Sequence, residues 1–108
     1  MELPTTRTVV AELADLPSGE VLTVTVPGEP PITIFHTDDG LFAIDDTCTH
    51  QDASLADGWV EACKVECPLH ESCFDLRTGE VSGPPAKTPV RVHRVGVDGT
   101  QIWLAVGR

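Results

Sequence analysis

Along much of the chain, apolar and polar residues alternate with a period of two. In residues 21–26, valine and leucine alternate with threonine. In residues 90–93 and 102–106, apolar residues also recur at every second position, so that they would share one face of a strand. This spacing is typical of β-strands, because successive side chains of a strand point to opposite faces. Only residues 9–16 have a composition that resembles a helix, and Pro17 would end it.

Turn-forming residues separate these runs. Two Asp-Gly pairs lie beside them: Asp39-Gly40, between residues 32–36 and 41–45, and Asp98-Gly99, before residues 100–106. An Asp-Gly pair flanked by apolar runs is a strong hairpin signal, because glycine adopts the positive φ that tight turns need. Short strands joined by turns predict an all-β fold with an antiparallel β-sandwich as its base.

The pattern changes in the middle of the chain. Between about residues 46 and 83 the alternation weakens, and all four cysteines and two of the four histidines lie there. We therefore expect a single domain over residues 1–108, with a base of strands (about 1–45 and 84–108) and a ligand-bearing insertion (about 46–83). Pro84-Pro85 would end the insertion, because proline cannot donate a hydrogen bond to a strand ladder.

Composition agrees with one globular domain and restricts the partners. The chain has 108 residues, of which 41% are hydrophobic, and a formal net charge of −10. Such a charge repels nucleic acids and anionic membranes and suits a protein partner with a basic face. No apolar run approaches the ~18 residues of a spanning helix, and no secretory signal is visible. We expect a cytoplasmic monomer.

Candidate chemistry comes from two short segments that each combine a cysteine with a histidine. They are Cys48-Thr49-His50 and Cys67-Pro68-Leu69-His70. Thiolates are soft ligands for iron–sulfur units or zinc, and neutral imidazoles bind iron, zinc or copper. In a reducing compartment, cysteines serve as metal ligands or plain thiols more often than as disulfides. The two pairs therefore predict a four-ligand metal site.

These segments resemble the Rieske iron–sulfur signature. The similarity continues through residues 51–55 and 74–79 to residues 83–86, and is closest to the Rieske-type ferredoxins of ring-hydroxylating oxygenase systems. The resemblance implies a Rieske fold in which the insertion binds one [2Fe–2S] cluster.

The resemblance also implies the ligands and the function. Cys48 and Cys67 would bind one iron, and His50 and His70 the other. The protein would be a one-electron carrier and not an enzyme, receiving electrons from an NAD(P)H-dependent flavoprotein ferredoxin reductase and passing them to a terminal ring-hydroxylating oxygenase. The chain has no glycine-rich phosphate loop for a flavin or nicotinamide cofactor of its own.

Three alternatives remain open. The same cluster could belong to the Rieske-like small subunit of another oxidoreductase, such as an assimilatory nitrite reductase. A structural zinc module would use the same four residues, although zinc sites usually pair Cys with Cys and His with His. A redox sensor would require Cys63 and Cys73 to respond before the cluster does; otherwise these two are packed or incidental thiols.

Departures from high-potential Rieske proteins predict a low reduction potential. Leu69 and Ala53 replace the extra loop cysteines, and Phe74 stands where a tyrosine would donate to a ligand sulfur, whereas Ser72 matches a serine donor. Residues 46–80 carry a formal −6 from two basic and eight acidic residues, the latter being Asp46, Asp52, Asp57, Glu61, Glu66, Glu71, Asp75 and Glu80. Fewer hydrogen bonds to sulfur and added negative charge both disfavour reduction, so we expect a potential of about −150 mV.

The remaining aromatic and histidine residues have ordinary structural interpretations. Trp59 and Trp103 are predicted to be core or base residues, and His36 and His93 to be strand residues without a ligand role.

Overall fold

The computed structural model describes residues 7–49, 53–68, 72–82 and 88–107. This part of the chain contains two single-turn 3₁₀ helices, Leu13–Asp15 and Leu55–Asp57, and ten strands. The strands are β1 (Thr8–Glu12), β2 (Val21–Val24), β3 (Ile32–Thr37), β4 (Gly40–Asp45), β5 (Trp59–Glu61), β6 (Lys64–Glu66), β7 (Cys73–Asp75), β8 (Val81–Ser82), β9 (Val92–Asp98) and β10 (Gln101–Ala105). The all-β prediction is confirmed.

The strands form two antiparallel sheets. Six strands follow the order β1-β10-β9-β4-β3-β2, and the second sheet follows β5-β6-β7-β8. The second sheet is a simple meander built from residues 59–82, inside the segment where the sequence alternation weakens. The division into base and insertion at residues 45/46 and 83/84 stays a prediction, and Pro84-Pro85 lies outside the described residues.

Both Asp-Gly hairpins are confirmed, with different turns. In the β3–β4 hairpin Thr37 pairs with Gly40, so Asp38 and Asp39 form the loop and Gly40, at φ +121°, opens β4. In the β9–β10 hairpin Gly99 is the first loop residue, at φ +64°. Glycine supplies a positive φ in each case, after the loop in one and within it in the other.

The β3–β4 hairpin is the wall between two hydrophobic cores. Ile34 and Ala43 face one core, and their neighbours Phe35 and Ile44 face the other. The first core also contains Leu16, Ile32, Ile102 and Leu104. The second contains Cys48, Ala53, Leu55, Cys63, Val65, Cys67, Phe74, Leu76 and Val90. Because both faces of β3 are covered, residues 32–35 are all buried, and the strand reads as a nearly continuous apolar run.

The residues with helix-like composition form a strand followed by one 3₁₀ turn. Thr8–Glu12 pairs with β10, and Leu13–Asp15 follows before Pro17. Pairing to an exposed sheet edge therefore outweighs local helix propensity in this segment. Among the described residues, no helix has the length and apolar character that a membrane crossing needs.

Candidate metal centre

The first predicted ligand segment is a short loop that starts at Cys48. The Cys48 N–H donates to the Ala53 carbonyl (2.9 Å), and Thr47 and Ser54 form an isolated antiparallel bridge just outside. These contacts bring the two ends of the loop together, with Cys48 at its base.

The second ligand segment is closed in the same way. β6 ends at Glu66, β7 begins at Cys73, and the Cys67 N–H donates to the Ser72 carbonyl (2.9 Å). Each cysteine thus donates to a carbonyl five residues ahead, so Cys48 and Cys67 hold equivalent positions in two matched loops.

Both cysteines lie in the second hydrophobic core. Cys48 is 3% exposed and Cys67 is 0% exposed, and the fully buried Phe74 belongs to the same core. A buried thiolate needs a cation, so this donor pair suits a thiolate-bound metal centre. No group of three or more metal-ligating side chains occurs within the described residues; His50 and His70, the other two predicted ligands, lie outside them.

Asp46 organises the chain around the first loop. Its buried Oδ1 accepts hydrogen bonds from the hydroxyls of Thr33 (2.6 Å) and Ser54 (2.8 Å) and from the N–H of Ala56 (3.1 Å). Its backbone carbonyl accepts from the Leu55 N–H (2.7 Å). The carboxylate thereby ties β3 to both sides of the loop. Sequence reasoning counted Asp46 only as an acidic charge.

A polar network holds the end of β4, immediately before this loop. Asp45 accepts from Arg91 and from His93 Nε2 (2.7 Å), and Arg91 also reaches Glu29 (2.7 Å). The Gly107 N–H donates to His93 Nδ1 (2.8 Å), so His93 is the neutral tautomer with its proton on Nε2. The hydrogen bonds to Glu29 and Asp45 raise the pKa of Arg91. Sequence reasoning missed this network because its members are far apart along the chain.

Two further contacts connect the first ligand loop and the β7–β8 turn to residues 88–90, just before β9. The Thr49 hydroxyl donates to the Thr88 carbonyl (2.6 Å), and the Val90 N–H donates to the Gly79 carbonyl (2.9 Å). Gly79 has a φ of +79°, and a Cβ there would collide with the Val90 carbonyl, so this close approach requires glycine.

Cys63 and Cys73 are thiols outside the matched loops. No disulfide joins them. Burial raises the pKa of Cys63, partly offset by the nearby Arg77, and burial together with Glu66 raises the pKa of Cys73. Both are therefore protonated at neutral pH, which suits packed thiols and not reactive ones.

The two tryptophans differ from each other. Trp103 is half-buried, and the Arg7 guanidinium lies 4.1 Å from its ring centroid. Trp59 is 63% exposed, so its prediction as a core residue was wrong. Trp59 lies on an edge strand of only three residues, too short for alternation to show which face is covered. His36 lies in β3, as predicted, and its Nδ1 donates to the Leu16 carbonyl (2.7 Å).

Comparison with known proteins identifies the family. The family model described as the Rieske [2Fe–2S] domain matches residues 6–94. The chain belongs to the Rieske [2Fe–2S] family. Among its relatives, this Rieske protein is 43% identical over 82 residues to the anthranilate 1,2-dioxygenase ferredoxin subunit of Burkholderia cepacia, covering 76% of each chain.

Solved structures of dioxygenase ferredoxins are also similar to this Rieske protein. The ferredoxin of carbazole 1,9a-dioxygenase from Nocardioides aromaticivorans IC177 has a TM-score of 0.85 and 36% identity, covering 95% of this chain and 100% of that one. A complex of reduced oxygenase and oxidized ferredoxin in carbazole 1,9a-dioxygenase matches with a TM-score of 0.85 and 29% identity, over 94% of both chains. These relatives confirm the predicted Rieske fold. The chain is an electron-transfer component of the ferredoxin class and not a catalytic oxygenase.

Proposed function

We propose that the protein passes single electrons from an NAD(P)H-dependent flavoprotein reductase to a terminal ring-hydroxylating oxygenase. The observation that carries this proposal is the similarity to ferredoxin components of dioxygenase systems, over most of their length and at up to 43% identity. In the solved complex of carbazole 1,9a-dioxygenase, an oxidized ferredoxin is bound to a reduced oxygenase, and an equivalent complex is the downstream half of the proposed circuit.

Four residues form the proposed ligand set for one [2Fe–2S] cluster. Cys48 and Cys67 bind one iron, and His50 and His70 bind the other, according to the ligand rule of Rieske centres. The matched closure of the two cysteine loops and the burial of both thiols in one core support the cysteine half of this set. When bound, the cluster takes up and releases one electron.

The protein's own residues hold the site in place and keep water away from its sulfur side. The Asp46 carboxylate fixes the first loop through three hydrogen bonds. The Cys67–Ser72 hydrogen bond closes the second loop, and Phe74 covers the interior with a ring that has no hydrogen-bond donor. A rigid, dry site changes little between oxidation states, which favours rapid electron exchange.

The nitrite reductase alternative has weaker support. A solved structure described as the small subunit of an NADPH nitrite reductase matches with a TM-score of 0.81 and 26% identity. The dioxygenase ferredoxins match at higher identity, so we favour a dioxygenase system as the circuit.

Single substitutions of the ligands test the proposed set. Cys48→Ser and Cys67→Ser should each abolish cluster assembly, measured as iron and acid-labile sulfide per chain, because serine is a poor ligand for iron–sulfur units. His70→Cys should lower the reduction potential of any protein that retains iron, because a thiolate adds negative charge at the metal.

Cys73→Ser is the matched control. Cys73 begins β7, the strand that pairs with the strand before Cys67, but it is outside the proposed ligand set. It should retain full iron and sulfide. Loss of the cluster in Cys73→Ser together with retention in Cys48→Ser would overturn the proposed ligands.

A further inference from the structure

The two central strands of the four-stranded sheet, β6 and β7, have one face covered by the second core and one face that is more open. Val65 and Phe74 point into the second core and are fully buried. Their neighbours along the strands form two cross-strand rows on the opposite face. The rows are Trp59–Glu66–Cys73–Ser82 and Glu61–Lys64–Asp75. We call this surface the Trp59 face.

A large aromatic side chain is left open on the Trp59 face. Trp59 is 63% exposed, and it lines a cleft of about 230 Å³ together with Glu61, Lys64, Glu66 and Cys73. Exposing a tryptophan to water leaves a large apolar area unburied. Tryptophan is also enriched in the hot spots of protein interfaces, so an exposed tryptophan beside a cleft indicates a binding surface.

The other tryptophan, Trp103, makes a cation–π contact within this protein. The Trp103 ring carries the Arg7 guanidinium at 4.1 Å. Within the described ranges, no side chain of this chain places a cation over Trp59. Because Trp59 is 63% exposed, much of its ring is open to a cation from another molecule.

Charges around Trp59 also favour a cation. Glu66 lies directly opposite Trp59 across the strands, and Glu61 lies two residues away on the same face. Lys64 lies between Glu61 and Asp75, so its positive charge is balanced within its own row. A second copy of this chain would bring another net charge of −10 to the surface, which disfavours self-association.

The Trp59 face is also close to a proposed ligand. Trp59 pairs with Glu66, and Glu66 directly precedes Cys67. Since paired Cα atoms lie at most about 5.5 Å apart and successive Cα atoms 3.8 Å, the Cα atoms of Trp59 and Cys67 lie about 9 Å apart or less. A partner on this face is therefore held beside the second ligand loop.

We propose that the Trp59 face docks the basic surface of a redox protein partner, with a lysine or arginine side chain over Trp59 and between Glu61 and Glu66. This inference rests on the proposed electron-carrier function and adds the surface and the partner chemistry. The exposed Glu61 and half-buried Glu66 carboxylates steer the basic partner, and the aromatic ring adds a short-range contact that salt screens less.

Binding of a basic redox protein tests this proposal without electron transfer. The oxidised holoprotein is titrated with ferric mammalian cytochrome c, a lysine-rich probe, by calorimetry at about 0.1 M ionic strength, where charges beyond about 10 Å are screened. Trp59→Ala should weaken binding about threefold with no change in net charge. Glu61→Gln with Glu66→Gln should weaken it roughly three- to tenfold.

Glu12→Gln with Asp98→Asn is the matched control. It removes the same number of negative charges, from the end of β1 and the end of β9 in the other sheet, and glutamine retains the acceptor for the Thr100 hydroxyl. We expect its affinity to stay within about 1.5-fold of the original. Trp59→Phe, which keeps a ring, should bind between Trp59→Ala and the original protein.

Two results would overturn the docking surface. One is an equal loss of affinity in the control pair and in the Glu61/Glu66 pair, which indicates diffuse attraction; the other is no effect of Trp59→Ala. The visible spectrum of each variant reports the cluster separately. An intact spectrum with unchanged binding therefore counts against this surface alone, whereas a protein without the cluster counts against the electron-carrier function itself.

Discussion

The buried carboxylate of Asp46 shows how a single residue positions a ligand loop. Two hydroxyls and one backbone N–H converge on its Oδ1. The Thr23 hydroxyl extends the chain by donating to Thr33 (2.8 Å), which itself donates to Asp46. Asp46 is thus a structural residue two positions before Cys48.

We predict that Asp46→Ala lowers the free energy of unfolding by about 3 kcal/mol, because it removes the acceptor that three buried or half-buried donors share. Urea unfolding followed by circular dichroism measures the change. Asp98→Ala, at the exposed end of β9, should alter stability by less than about 0.5 kcal/mol. Similar effects of the two substitutions would contradict the role given to Asp46.

At the scale of single residues, features set by local spacing could be predicted from the sequence, and contacts between distant residues could not. The local Cys-x-His-type spacing pointed to Cys48 and Cys67, which make the same backbone hydrogen bond to a carbonyl five residues ahead. The Asp45–His93 contact joins residues 48 apart, and no local pattern announces it. The exposure of Trp59 was also unpredictable, because it depends on which face of a three-residue strand the core covers.

At the scale of elements, the β5–β6 hairpin has a strained turn. Its two loop residues, Ala62 and Cys63, have φ values of +52° and +61°. Two successive positive φ values are typical of a type I′ turn, which normally contains asparagine and glycine. Residues with a Cβ are disfavoured there, and the buried Cys63 side chain packs into the second core as compensation.

Relief of this strain is testable. Ala62→Gly should raise the free energy of unfolding by about 1 kcal/mol, because Ala62 is exposed and glycine adopts this φ without a steric penalty. Ala56→Gly is the control within the Leu55–Asp57 turn and should lower stability by about 0.5–1 kcal/mol. A decrease on Ala62→Gly, measured by thermal unfolding, would rule out the strained turn.

Elements with long, regular patterns were predictable, and short ones were not. The β3–β4 and β9–β10 hairpins follow from Asp-Gly pairs between apolar runs. The strands β5 to β8 contain two or three residues each, too few for a period of two to appear. Their pairing is set instead by the ligand loops and turns that connect them.

For the whole molecule, the net charge and the lack of a hydroxyl on the buried Phe74 act together on the reduction potential. The chain carries −10 overall, and Phe74 fills the second core without a hydroxyl that could donate to sulfur. Both features disfavour the added electron.

We therefore predict a potential of about −150 mV, measured by protein-film voltammetry. Phe74→Tyr should raise the potential, provided that the added hydroxyl reaches a ligand sulfur, and the visible spectrum shows whether the cluster is retained. A value above roughly +100 mV for the unaltered protein would contradict this account, since that range belongs to Rieske centres rich in sulfur hydrogen bonds.

The central claim is that this acidic β-protein carries a two-iron cluster on two matched loops. Metal and acid-labile sulfide analysis of the purified protein tests it most directly. The account predicts about two iron ions and about two sulfides per chain. A single zinc ion with no labile sulfide would contradict it.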